Sequence, residues 1–441
     1  MLDTVFKKYN QKSSLLVFSS YAHSSEAMKD QNALAWYTKH LLSSFPKNKH
    51  IIFLSEKTAG SSNLTYEAAE NILVIPCWEK NNPLSIFNVF KALRTLSQPK
   101  KMLFQFEFNI FGTVLGPLLT LMLTLYMALK RVQIYFQIHQ IVLDISLIKD
   151  QINLENKTVI KFFNICLNLF YRTIFFLSKK VIVTEEALAT KLRGITRANK
   201  LVILHHHVLK ESPVITEQQN SEEKTLLFFG YISWYKGVDW LVDTFKELRK
   251  EMPNLKLVIA GGESPTLKHK LHYKKYYRNL MNAIKDEEGI THTGFVSDEE
   301  ARVLFSKADM LVLPYRIFMS SSGPLSWALA FQKPVILAST LKEYTHSPDF
   351  IRSMKMAQIT DQDLFFDLTP ESFKKVVQAA TAEEVKTKLV QFSTTLAEKR
   401  SQKNITRKLY SIIYPPQPAF VPKLKLIPSK LRLISPLNYA K

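Results

Sequence analysis

Short apolar runs alternate along this chain with longer amphipathic or polar stretches. Residues 15–19 (LLVFS), 50–54 (HIIFL), 72–75, 101–106, 132–139, 180–184 (KVIVT) and 201–204 each have the length and composition of a buried strand. A helical stretch over 32–45 separates the first two. Strands that alternate with helices predict βαβ units and a parallel sheet. From residue 208 the chain turns polar and includes Pro213, which predicts an interdomain linker over 211–224. A second series follows, with strands at 225–229, 255–260, 291–293, 310–313 and 335–337. Its helices are expected at 238–249, up to about 284, at 299–306 and from Pro324.

The pattern therefore predicts two α/β domains, 1–210 and 225–390, with a cleft between them. A further helix over 391–414 is expected to return to the first domain, followed by a tail over 415–441. In open parallel sheets ligands bind beyond the carboxyl ends of the strands, so the cleft is the expected site.

Two segments are more apolar than the rest. Residues 110–129 approach the length of a membrane span, but Gly112, Gly116 and Pro117 interrupt them and they lie inside a βαβ series. A buried helix is the expectation there. Residues 156–177 are rich in Phe, Ile and Leu, and no acid occurs between Glu155 and Glu185. Lys157, Lys161, Arg172, Lys179 and Lys180 flank or punctuate this helix. Such a pattern fits an interfacial helix and equally a core helix whose cationic ends snorkel.

The charge strengthens the surface reading. Lys and Arg number 59 against 38 Asp and Glu, for a net charge of +21 over 441 residues. An anionic partner is implied: a nucleic acid, an acidic leaflet or a phosphorylated substrate. No nucleic-acid motif accompanies the charge, so no nucleic acid is expected. The tail carries Lys423, Lys425, Lys430, Arg432 and Lys441, several prolines and no acid. Cys77 and Cys166 are the two cysteines, too few for a disulfide framework or a zinc cluster, which fits a reducing cytoplasm. The start has no apolar stretch of a secretory signal. Neither G-x-G-x-x-G nor G-x-x-x-x-G-K-[ST] occurs among the 11 glycines.

The chemistry is concentrated in the second half. Residues 229–237 (FGYISWYKG) end a strand and open a helix. Gly230 allows a ligand close to the backbone, and Lys236 puts a cation beside a helix N-terminus, a combination suited to a diphosphate. Residues 255–262 end another strand in Gly261 and Gly262. Residues 316–323 (RIFMSSSG) run into a helix opened by Pro324, so Ser320, Ser321, Ser322 and Gly323 form a candidate anion cradle. Taken singly, Lys236 is also a plausible surface lysine and the serines a plain helix cap. Ser297 and Glu300 read as a capping box rather than as catalysts. The run His205, His206, His207 alternates sides along an extended chain and so makes a poor metal site. Residues 268–278, which mix bases with tyrosines, read as a solvated helix near the cleft.

The order of these pieces resembles the retaining GT-B glycosyltransferases of family 4, or group 1. The likeness covers about residues 226–339: FFGYISWYKGVDWL, NLKLVIAGG, THTGFVSDEEARVLFSKADMLVLPY and SSSGPLSWALAFQKPVILAS, in the family's order and spacing. The first half resembles it more weakly, through NALAWYTKHLL, YFQIHQIVLD, KKVIVTEEALATKL and KLVILHHHV. The resemblance implies a GT-B fold of two Rossmann-like domains. It implies a nucleotide-sugar donor, a glycan or lipid-linked acceptor, no cofactor and no metal. Lys236 and Ser320 to Gly323 would hold the donor diphosphate, with Gly230 and Gly261 opening the backbone to it. His139 would reach the transferred sugar from the first domain, so that His139 and Lys236 are the expected catalytic pair. A cytoplasmic protein peripheral to the inner face of a membrane is the implied setting.

Two departures stand out. Met319 and Trp327 occupy positions where the family often has glutamates, the second of which usually binds the ribose. Tyr231 stands where an arginine is usual, and Arg316 is the candidate substitute. Loss of the carboxylates leaves a non-catalytic GT-B binding protein as the competing expectation.

Overall fold

The computed structural model describes residues 2–22, 33–58, 65–67, 71–113, 115–195, 198–209 and 223–416. Most of the expected linker, residue 32 at the start of the first expected helix, and residues 417–441 of the tail lie outside the described residues.

In the first domain, α1 (Leu2–Tyr9) precedes β1 (Leu15–Phe18), α2 (Ala33–Ser43), β2 (Ile51–Glu56), β3 (Thr65–Glu67) and β4 (Ile72–Trp78). Then come α3 (Ile86–Thr95), β5 (Lys101–Phe106), α4 (Gly116–Leu129), β6 (Gln133–Ile138), α5 (Lys149–Ile152) and α6 (Lys157–Leu177). The domain's last elements are β7 (Lys180–Val183), α7 (Glu186–Arg193) and β8 (Leu201–Ile203). The eight strands form one sheet in the order β3-β4-β2-β1-β5-β6-β7-β8. All neighbours are parallel except β3, which pairs antiparallel with β4.

The second domain holds β9 (Lys224–Phe229), α8 (Val238–Glu251), β10 (Leu255–Ala260), α9 (Leu271–Ile284), β11 (Ile290–Gly294) and α10 (Asp298–Lys307). After these come β12 (Met310–Leu313), α11 (Gly323–Ala330), β13 (Val335–Ala338), α12 (Pro348–Met356), α13 (Asp361–Leu364) and β14 (Phe365–Phe366). Its sheet is fully parallel, β11-β10-β9-β12-β13-β14. Helices cover both sheets, so the central strands β1, β12 and β13 are buried at every residue.

The two α/β domains stand as expected, but the segment expected as one returning helix is split between two, of which only the last returns to the first domain. α14 (Pro370–Thr381) and α15 (Glu383–Lys399) belong to the second domain, where α15 packs against α11, α12 and α14. The chain crosses at Arg400 and Ser401, and α16 (Gln402–Ile413) lies against α2. Thr406 donates to the Leu41 carbonyl at 2.8 Å, and Lys101 Nζ and Tyr135 Oη donate to the Ile413 carbonyl at 2.6 and 3.1 Å. The expected boundary at 390/391 thus falls inside α15, because the crossing point is set by where the two domains meet.

The apolar run over 110–129 also divides. Helix α4 begins only at Gly116, with Pro117 in its first turn. Before it the chain turns at Gly112, φ +70°, where a Cβ would lie 2.6 Å from Asn81 Oδ1. Leu119, Leu123 and Met127 face the core, whereas Leu118, Leu125 and Leu129 are exposed.

Candidate functional site

Three glycines build the floor of the interdomain cleft. After β9, Gly230 adopts φ +120°, and its N–H bonds the Ala260 carbonyl at 2.8 Å. Its neighbour across the strand ends is Gly261, where a Cβ would lie 2.1 Å from the Gly230 oxygen. Gly237, φ +69°, closes the single turn Trp234–Lys236 and opens α8, with a Cβ position 2.1 Å from the Pro314 oxygen. Any side chain at Gly237 or Gly261 would drive apart the ends of β9, β10 and β12.

This close packing pins Lys236 over the floor. Its Nζ lies 3.0 Å from where a Gly230 Cβ would be and 5.9 Å from the Tyr235 ring centroid. Among the described residues no carboxylate pairs with it. Burial lowers its pKa to about 8, because the charged form gives up water without gaining a counter-ion. An anion placed there would supply what the protein withholds.

Facing Lys236, the loop after β12 leads into α11. Ser322 caps the helix, its Oγ accepting from Leu325 N at 3.2 Å, and its own N–H bonds the Tyr344 hydroxyl at 3.0 Å. Open space stands where Gly323 would carry a Cβ. Lys236, Gly230, Tyr231, Gly261 and Ser320 to Gly323 all line one cavity of about 440 Å³ between the domains. Tyr231 stacks on Phe295 at 6.3 Å across part of its wall.

The first domain supplies Trp36, Tyr37, His40, Gln140, His206 and His207 to the same cavity. His139, at the end of β6, sits one layer behind. Its Nε2 lies 2.5 Å from Gln105 Oε1, and the Tyr37 ring meets it edge-on at 4.9 Å. Burial, with His206 nearby, holds its pKa down at about 3, so it is neutral near pH 7. His207 stacks on Tyr37 at 4.7 Å, and its buried Nδ1 has no hydrogen-bond partner among the described residues.

Known proteins resemble the chain in its second domain and in its fold. Residues 223–353 match the family model described as "Glycosyl transferases group 1". The second domain is a group 1 glycosyltransferase domain. The uncharacterized glycosyltransferase MJ1607 of Methanocaldococcus jannaschii is 26% identical over 118 residues, which are 27% of this chain and 28% of that protein. The chain's match thus spans little more than a quarter of that relative.

Sucrose-phosphate synthase from Thermosynechococcus elongatus superposes with a TM-score of 0.66 at 13% identity, covering 91% of this chain and 98% of that one. Anabaena HepE, solved with UDP and glucose, does so with 0.61 at 10% identity, covering 91% and 99%. The likeness to these structures, over 91% of the chain, shows the GT-B fold for its two domains.

Within this GT-B frame the structure puts Arg316 elsewhere than expected. Its guanidinium grips both oxygens of Asp239 at 2.9 and 2.8 Å and donates to the Trp234 carbonyl at 2.6 Å. With its donors spent on α8 and the Lys236 turn, Arg316 fixes that turn and does not line the cavity. Trp327 does line it, but as part of an aromatic cluster with Phe229, Phe305 and Phe331, at centroid distances of 5.6 to 6.0 Å. A glutamate there would be set among rings. Met319 is buried, and its carbonyl accepts from Ile141 N of the first domain at 3.0 Å.

Beside the cleft the GT-B domains are riveted by charge. Arg400 binds both oxygens of Glu185 at 2.8 and 3.1 Å and both of Asp349 at 2.8 and 3.1 Å. His205 adds contacts of 3.4 to 3.7 Å to Glu185, Glu186 and Asp349. Burial alone would raise the Glu185 pKa, but Arg400 and then His205 hold it down at about 2. Ser321 Oγ donates to Glu185 at 3.0 Å and so ties the serine loop to this network.

Residue order foretold the lysine, glycines and serines of the cavity. It missed His206 and His207: alternation along an extended chain would put His205 and His207 on one side, yet His205 turns to the carboxylates while His206 and His207 both line the cleft.

Proposed function

We propose that this chain transfers a sugar from a nucleoside diphosphate donor to a saccharide or lipid-linked acceptor, with retention, at an anionic membrane surface. The observation that carries this reading is Lys236, a partly buried cation without a counter-ion, set opposite the N-terminus of α11 on a floor that only glycine permits. The α- and β-phosphates fit between Lys236 and the N-terminus of α11 at Gly323, where charge that builds on the leaving diphosphate is stabilised by the helix end and the lysine together. This needs no metal, since Lys236 and the helix end supply the positive charge. Tyr231 and Phe295 offer faces for the nucleoside. His207, which lines the cavity where His139 does not, is the histidine we assign to the transferred sugar, and Gln105 and Tyr37 keep His139 in position behind it. HepE, similar in fold, holds UDP and glucose, which supports a uridine nucleotide as the first donor to try.

Aromatic packing at Trp327 favours a second reading, a GT-B protein that binds donor without turning it over. Thermal-shift titration with UDP, GDP, ADP and their sugar conjugates tests the first point. One nucleotide should raise the melting temperature of the native chain and not that of Lys236→Ala. Slow release of free sugar from that conjugate separates enzyme from binder, and the absence of any nucleotide shift in a folded sample rejects both.

A further inference from the structure

Helix α6 buries Leu167, Phe170, Tyr171, Ile174 and Phe175 against the first domain, and the Tyr171 hydroxyl donates to the Val142 carbonyl at 3.2 Å. Its opposite side is open: Phe162 is 61%, Leu169 58% and Phe176 81% exposed. Helix α4 packs beside it and prolongs the open apolar face through Leu118, Leu125 and Leu129. An exposed apolar face that spans two helices exceeds the scattered apolar residues of an ordinary surface. α6 is long and apolar enough to cross a bilayer. It nevertheless connects β6 to β7, which pair in parallel in one sheet, so both its ends stay with the domain.

Beside this face residues 143–146 and the first half of α6 enclose an open groove of about 660 Å³. Lys157, Lys161, Asn164 and Asn168 line it at helical spacing, so the two ammonium groups project from one side, with Cβ atoms about 6 Å apart. The acid in the groove wall, Asp144, is already engaged, accepting from Ser146 N at 2.9 Å and Asn164 Nδ2 at 2.8 Å. Neither lysine has an ion-pair partner among the described residues. No Asp or Glu occurs in 108–143 or 156–184, so both helices are themselves free of acids, with Glu155 just before α6. Cationic groove and apolar face together match one kind of ligand: a phosphate joined to a hydrocarbon chain.

We propose that this groove seats the phosphate of a bilayer lipid between Lys157 and Lys161, with the lipid chain against Phe162 and Leu169, and so docks the first domain on an anionic leaflet. The inference rests on the reading of a membrane-held acceptor and gives it a place. Gln140 lines the donor cleft and Asp144 the groove, and the four residue-to-residue steps from one to the other span about 14 Å at most. A saccharide on a lipid held at the groove therefore lies within reach of the cleft.

Flotation of the full chain with vesicles of phosphatidylcholine, with and without phosphatidylglycerol, tests the docking. Cys166, exposed on α6 while Cys77 is buried, takes an environment-sensitive fluorophore as a local reporter. Binding to anionic but not neutral vesicles is expected, with a blue shift at Cys166. Lys157→Gln with Lys161→Gln should weaken partitioning about thirtyfold. Phe162→Ser with Leu169→Ser should remove the blue shift. Both variants change exposed side chains and should keep the melting temperature and any nucleotide shift of the native chain. Flotation without a blue shift would place the contact elsewhere, as on the basic C-terminal segment, and overturn the proposal. Equal partitioning of the double lysine variant would overturn it too. Vesicle binding with no nucleotide shift in the native chain would leave the docking intact and reject the transferase reading instead.

Discussion

Arg400 and Lys236 are both cations withdrawn from water at the meeting of the two domains, and they are treated in opposite ways. Arg400 is clasped by two carboxylates from different domains, and although burial opposes its charge, Glu185 and Asp349 raise its pKa overall. Lys236 has no such partner, and burial lowers its pKa to about 8. A neutralised buried cation is a fastener, costly to break from one side. An unneutralised one is a standing attraction for an anion. The contrast separates the part of the interface that holds the molecule together from the part kept for a ligand, and Ser321, bonded to Glu185, lies where they touch.

Breaking the fastener should have the largest effect. Arg400→Met leaves Glu185 and Asp349 buried without their cation and should lower unfolding free energy by about 3–5 kcal/mol in denaturant titration. A loss under about 1 kcal/mol would show that the two cations are not so different. Lys236→Met should do the reverse: the melting temperature holds or rises, while sugar transfer falls by about 10² to 10³. A variant that loses stability and keeps transfer would sink the proposed role.

Acid should attack the fastener next. Glu185 is held at about 2, below its ordinary value of 4.5, so its stabilising contribution is complete above 4.5 and is lost as pH falls toward 2. A loss on the order of 3 kcal/mol across that window is expected from the native chain, and much less from Arg400→Met, followed by denaturant midpoints at successive pH. Base should act on the free cation. Below about 8 Lys236 is charged and should attract diphosphate; above it, affinity should fall by up to about tenfold per pH unit, and nucleotide titration of Lys236→Met should show no such slope. The smallest effect is expected at the junction. Ser321→Ala removes one hydrogen bond to Glu185, worth about 1 kcal/mol. If its melting temperature and nucleotide affinity fall together, cradle and fastener are coupled; if neither changes, they are independent.

Much of this architecture was legible along the chain. The apolar runs marked the strands because parallel strands are covered on both faces and cannot alternate. The motif order around Lys236 and Ser320 to Gly323 marked the cavity because glycine is required where strand ends cross within contact distance. Short edge strands such as β3 escaped, since three residues carry too little pattern. Arg316 was misplaced because nearness in sequence to the serine loop says nothing about Asp239, which lies 77 residues away.

By itself, then, the sequence determined which segments are strands, that they form two parallel-sheet domains, and which glycines, serines and lysine gather at one end of the second sheet. These follow from periodicity and backbone sterics, which are local. The tertiary structure alone decided which cations are paired, that His207 and not His139 faces the cleft, where the chain crosses back at Arg400, and that α4 and α6 leave one face bare. Each of those depends on which groups share a low-dielectric space, and that is fixed only when distant segments pack.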